Sequence, residues 1–243
     1  MKVNHLKMFL KLYEKEMMEL KTEILLTISA VIVVSVLVYF AGPRFGWPNL
    51  LFVMVAGLAG LLPVITASKI FTKEWNSNTI YLVMSLPVRG GMILGSKLAA
   101  VVSQYLLGTI TVVISTITLA LVLFAEEIAI ITSEFINIPW GLGFSIYFMS
   151  LVFGVYLVAL IFFSQIIGKL VAKFQGLTTV ITLAGMLWLT NKVIAQLIGH
   201  MDYSPELILA PVEPFIYTSF YYIGAAIVVF IAAVLIYNWR IEL

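Results

Sequence analysis

Charge-free apolar stretches dominate the chain, running from Ile24 to Pro43, Phe45 to Ser68, Leu98 to Ala125, Phe135 to Gly168, Phe174 to Asn191 and Pro214 to Trp239. A helix needs about 20 apolar residues to cross the roughly 30 Å hydrocarbon layer of a bilayer, and these stretches meet or approach that length. One such run is also found in buried helices of soluble proteins, but six in series leave no room for that alternative. The expected fold is all-α: a polytopic membrane protein with six transmembrane helices over residues 24–243.

Residues 1–23 follow a different rule. Val3, Leu6, Leu10, Tyr13, Met17 and Leu20 recur every three or four positions, and Lys7, Lys11 and Lys15 stack on another face. This spacing predicts an amphipathic helix along the cytoplasmic surface, its lysines meeting anionic lipid headgroups and its apolar stripe dipping into the interface. Packing against the protein's own loops is the plainer reading of the same pattern. Acidic and basic residues alternate here, unlike a cleavable signal peptide, so the first apolar run is expected to stay as an anchor.

Composition agrees: 62% of the residues are hydrophobic and 11% charged, against about 45–50% and 25% in soluble domains. Charge distribution then sets orientation. With the N- and C-termini in the cytoplasm, all of the 14 basic side chains except Arg44 and Lys192 fall on the cytoplasmic side, as the positive-inside rule requires for short loops. The chain is therefore expected in the cell membrane with both termini inside. Glu126, Glu127, Glu134, Asp202, Glu206 and Glu213 fall outside. Trp47, Trp140 and Trp239 lie near span ends, where an indole suits the headgroup layer.

Several local features refine the layout. Pro63 is expected to kink the end of span two. The longest cytoplasmic connection, residues 69–97, is expected to form a short surface helix and a second helix leading back into the membrane, with turns at Asn76-Ser77-Asn78 and after Pro87. On the other side, the proline-rich stretch from Leu197 to Phe215 suits either a short helix or hairpin over the outer mouth or an ordinary loop.

Chemistry is scarce. Cysteine is absent, and no HExxH, no GxSxG and no close acid pair within a span occurs. Gly90 and Gly95 are spaced as in a phosphate-binding loop, but Ser96 precedes Lys97 where the motif needs Lys first and a strand in front. Gly91, Gly95, Ala99 and Ser103 instead form a small-residue face for helix packing. No enzyme activity, no cofactor or metal held by this chain and no nucleic-acid partner is expected, and active transport would need energy from another protein.

One stretch carries a resemblance. Phe71-Thr72-Lys73-Glu74-Trp75-Asn76-Ser77-Asn78-Thr79, then Ser85-Leu86-Pro87-Val88-Arg89, then Ile93-Leu94-Gly95-Ser96-Lys97 resembles the cytoplasmic connection of ABC-2 type permeases, the membrane subunits of one class of ATP-binding-cassette transporters. Glu74, Thr79, Leu86, Pro87, Arg89, Gly95 and Lys97 match that pattern, while Asn78 stands where glycine is usual. Asparagine tolerates the left-handed backbone better than most residues. The resemblance implies a permease that pairs with a second one, as homodimer or heterodimer, above cytoplasmic ABC ATPase subunits that bind ATP and Mg. Export of an unidentified substrate is the expected direction. Glu74, Thr79, Leu86, Pro87, Arg89 and Lys97 are then candidates for ATPase coupling, with Glu74 the sharpest. Ser103, Gln104, Thr109, Thr111, Ser115 and Thr118 are candidates either for a cargo wall between two permeases or for helix packing. A peptide or bacteriocin immunity or sensing subunit, and a membrane scaffold for a cytoplasmic protein, are the alternative functions.

Overall fold

A computed structural model describes residues 5–45, 48–76, 88–123, 140–171, 174–199 and 212–241. The described residues form six helices and no strand: α1 (His5–Phe45), α2 (Pro48–Asn76), α3 (Gly90–Leu123), α4 (Trp140–Leu170), α5 (Gln175–Gly199) and α6 (Val212–Ile241). Among the described residues, five stretches are long and apolar enough to cross a membrane: His5–Leu37, Gly90–Leu119, Gly143–Leu170, Gln175–Ile198 and Pro214–Trp239. The first residue of α2 is Pro48, whose fixed φ and missing N–H suit the first helical position.

Side-chain exposure has the character of a membrane protein. Leu25, Ile32, Val33, Leu37 and Phe40 on α1, Ile110, Ile114 and Ile117 on α3, and Val228 and Leu235 on α6 are all exposed. Apolar surface on this scale is not tolerated in water, whereas a lipid tail is an equally apolar neighbour.

α1 departs from the expected division at residue 23. The structure has a single 41-residue helix, about 62 Å long. No proline or glycine interrupts it before Gly42. Its buried positions Glu16, Leu20, Thr27 and Val31 form one stripe at intervals of four and seven that runs through residue 23. On the opposite side, Lys7, Lys11 and Lys21 are exposed, and from Leu25 onward the exposed large side chains are apolar. The change from amphipathic to wholly apolar is a change of surroundings along one helix, not a break in it.

The flanking helices reach into the 69–97 connection from both ends. α2 continues past Pro63 to Asn76, and α3 already begins at Gly90, eight residues before the expected start of its span. Residues 77–87, where the short surface helix is expected, lie outside the described residues. α5 likewise runs to Gly199, beyond Asn191. Most of the proline-rich stretch, residues 200–211, lies outside the described residues.

The chain divides into two compact units. The first holds residues 1–12, 67–98 and 140–243. Its core is formed by Val152, Tyr156 and Leu160 of α4, Ile194 of α5, and Tyr222, Ala226 and Val229 of α6. The Tyr222 ring lies 5.2 Å from Phe153 and 5.4 Å from Tyr156, and its hydroxyl donates to Asn191 Oδ1 at 2.7 Å. The second unit holds residues 13–66 and 99–139. There Val31 packs on Val112, Tyr13 and Ser103 share a hydrogen bond of 2.8 Å, and Gln104 Nε2 donates to Thr66 Oγ1 at 3.3 Å.

Candidate functional site

The last three turns of α2 build one side of the site. Ala67, Ile70, Phe71 and Glu74 are buried, spaced so that they share one helix face. Phe71 stacks 6.1 Å from Phe162 of α4 and 6.3 Å from Trp75. Gln165 of α4 donates to Ser68 Oγ at 2.9 Å, and Lys169 Nζ sits 5.5 Å from the centre of the Trp75 ring. The C-terminal ends of α2 and α4 therefore lie together.

The first turns of α3 build the other side. Met92 N–H and Ile93 N–H donate to the Arg89 carbonyl at 2.8 and 3.4 Å, which starts the helix. Ile93, Leu94, Ser96 and Lys97 are buried, and the Ser96 hydroxyl donates to the Ile93 carbonyl at 2.9 Å. Two glycines bring this turn against the C-terminal end of α6. A Cβ on Gly90 would collide with Asn238 Oδ1 and come within 2.6 Å of the Tyr237 ring, while one on Gly91 would touch Val234 at 3.4 Å. A Cβ on Gly95 would meet Phe9 of α1 at 3.7 Å.

Between the two sides lies an ion pair. Lys97 Nζ is 2.8 Å from Glu74 Oε1, and the two side chains are only 2% and 7% exposed. At that separation and an effective dielectric of about 20, the gross attraction is about 6 kcal/mol, set against several kcal/mol of lost hydration for each ion. Such a pair adds little net stability over apolar residues, but removing one partner strands a buried charge. The Tyr237 side chain, itself buried, is a neighbour of Glu74. α2, α3 and α6 thus meet around a single carboxylate.

Of the six coupling candidates, the structure joins Glu74 and Lys97 and leaves Arg89 exposed at the start of α3. Thr79, Leu86 and Pro87 lie outside the described residues. Sequence reasoning put Glu74 in a surface connection and assigned it no partner in this chain. The missed signal was its register: Ala67, Ile70 and Phe71 put Glu74 on their own buried stripe. Phe71, Trp75, Lys169, Gly90 and Tyr237 were missed as parts of the site. Glu16, set by sequence among alternating charges, is 2% exposed, with Lys15 Nζ 3.4 Å away.

The proposed cargo-wall residues are occupied locally. Thr109, Thr111 and Thr118 donate to carbonyls one turn back on α3, Ser103 bonds Tyr13 and Gln104 bonds Thr66. Among the described residues, no set of three His, Cys, Asp or Glu side chains is arranged to hold a metal ion.

Comparison with protein-family models, with curated proteins and with solved structures finds no match for this chain.

Proposed function

We propose that this chain is the membrane permease subunit of an ATP-driven exporter of the ABC-2 type, with six spans and both termini in the cytoplasm. Its 69–97 connection receives a separate ATPase. The observation that carries this reading is the buried Glu74–Lys97 pair, 2.8 Å apart. Both residues belong to the stretch that resembles the ABC-2 connection, and they lie on opposite flanks of residues 77–87. A loop that transmits force needs both of its ends fixed, and a pair desolvated in this way fixes them far more firmly than an exposed one.

A second observation supports the orientation. The C-terminal ends of α2, α4 and α6 and the start of α3 gather around this pair, together with Lys69, Lys73, Arg89 and Lys169. Basic residues collected at one end of alternating helices are what the positive-inside rule expects of a cytoplasmic face. Cargo passes along an interface with a second permease copy or a related subunit in this reading.

Purification from native membranes tests it. The wild-type chain should bring down an ATPase subunit, and the reconstituted complex should hydrolyse ATP in a substrate-dependent way. Glu74→Lys should lower turnover per assembled complex more than Glu74→Gln. Wild-type turnover in a correctly assembled Glu74→Lys complex would refute the coupling role, and a wild-type chain that brings down no ATPase would refute the permease assignment itself.

A further inference from the structure

The second unit contains a groove of about 510 Å³ between α1 and α3, lined in part by Thr111, Ser115 and Thr118, three of the residues considered above for a cargo wall. Ile32, Val36 and Phe40 form one wall, Ile114, Thr118 and Val122 the other, and Ser35 and Ser115 lie on the floor. The wall residues of α1 are 48–70% exposed, so the groove opens sideways from the helix pair, toward whatever surrounds the spans.

Its chemistry selects the occupant. Among the described residues, no charged side chain lines it. Ser35 Oγ lies 2.8 Å from the Val31 carbonyl and 3.0 Å from Ser115 Oγ, which is 3.2 Å from the Val112 carbonyl. Thr111 and Thr118 each donate to their own helix at 2.8 Å. Every lining hydroxyl among these is engaged, which leaves methyl and methylene surface facing the opening. A headgroup, a peptide or a polar cargo would lose its hydration here without gaining partners, whereas a hydrocarbon loses nothing.

Length points the same way. From Ile32 to Phe40 the groove follows α1 for about 12 Å, and from Thr111 to Val122 it follows α3 for about 16 Å. Half of a bilayer's hydrocarbon layer is about 15 Å. The volume lies within the range of about 300–1,000 Å³ common for small-ligand sites. At the end of the groove nearer the α1 terminus stands Tyr39, 42% exposed. A tyrosine with an apolar body and a polar tip is suited to the hydrocarbon–headgroup boundary.

We propose that this groove holds one acyl chain of a membrane lipid, from the leaflet at the far end of α1 from Lys15 and Lys21, with the lipid headgroup beside Tyr39. Seating that chain gives the α1–α3 pair a fixed apolar partner and makes the groove a lipid site instead of a cargo path. The proposal rests on the membrane setting alone and needs no ATPase.

The test uses the full-length protein in phosphatidylethanolamine–phosphatidylglycerol vesicles that contain a trace of phosphatidylglycerol with a diazirine midway along one acyl chain. After illumination, peptide mapping should find about threefold or more label per residue on the groove walls than on Val228 and Leu235 of α6, because a pocket covers most of its ligand and a flat face touches one side. Thr118→Trp, or Val36→Trp from the opposite wall, fills the groove from an open position and should bring its label down to the α6 level while the chain still elutes as a single folded species. Label spread evenly over all exposed span faces would overturn the proposal. So would cross-links from the groove to a second copy of the chain, which would make the groove a protein interface.

Discussion

Replacing Glu74 by glutamine keeps the shape of the side chain and removes its charge, leaving Lys97, 2% exposed, without its carboxylate 2.8 Å away. Breaking a buried pair from one side costs about 3–5 kcal/mol, because the surviving charge keeps its desolvation penalty and loses its compensation. For a chain of this size that corresponds to a fall of about 6–20 °C in the unfolding midpoint, at about 2–4 °C per kcal/mol. An exposed pair would account for only about 0.2–1 kcal/mol. Lys97→Met should be comparably damaging, since it takes the ammonium away from a carboxylate that stays buried. The double variant Glu74→Leu/Lys97→Met should recover most of the loss, because apolar residues of similar volume can replace a buried pair at little cost. Thermal unfolding in lipid nanodiscs, followed by tryptophan fluorescence and analysed as a double-mutant cycle, separates these cases. Single variants shifted by less than about 1 kcal/mol would show that water reaches the pair and that the burial argument fails.

Gly90→Val should destabilise the α3–α6 contact by about 1–3 kcal/mol, as overpacking does, since the new side chain meets Asn238 and Tyr237; Gly224→Ala, with nothing within 4 Å of its Cβ, is the control in the same melt. Gly168→Ala should perturb the short α4–α5 turn, where the Cβ would lie 2.9 Å from the Gln175 carbonyl and collide with Thr179, and limited proteolysis around residues 171–174 should rise. Tyr222→Phe removes the 2.7 Å hydrogen bond to Asn191 and should cost about 0.5–1.5 kcal/mol, read as a lower unfolding midpoint with the α4–α6 core otherwise intact.

The helical class and five span-length apolar helices among the described residues were legible because a bilayer admits few solutions: uninterrupted apolar runs of span length with all backbone groups bonded within the helix. Boundaries were less legible, for a physical reason visible in α1. Hydropathy changes between Lys21 and Leu25, but helicity follows backbone geometry, and nothing between His5 and Ala41 breaks it. The same reason explains α2 beyond Ser68, where Lys69 and Lys73 face outward and Ile70, Phe71 and Glu74 keep facing in. Charges there lie on the exposed side of a continuing helix.

Partnership was the part that sequence could not supply. Glu74 and Lys97 are 23 positions apart on different helices, and the resemblance placed both in one motif without relating them to each other. Their meeting depends on how α2 and α3 are held, and each is held by a different helix. Phe71, Ser68 and Trp75 engage α4 through Phe162, Gln165 and Lys169, while Gly90 and Gly91 engage α6 through Tyr237, Asn238 and Val234. All of these residues belong to the same compact unit as the α4–α6 core. In the proposed coupling role, a load on residues 77–87 would enter α4 through an aromatic stack and a cation–π contact, and α6 through a glycine-sized gap. The ion pair keeps the two flanks in register while it does so. On that account Glu74 acts through the geometry of three helices, and a partner protein need not touch its carboxylate for the residue to matter.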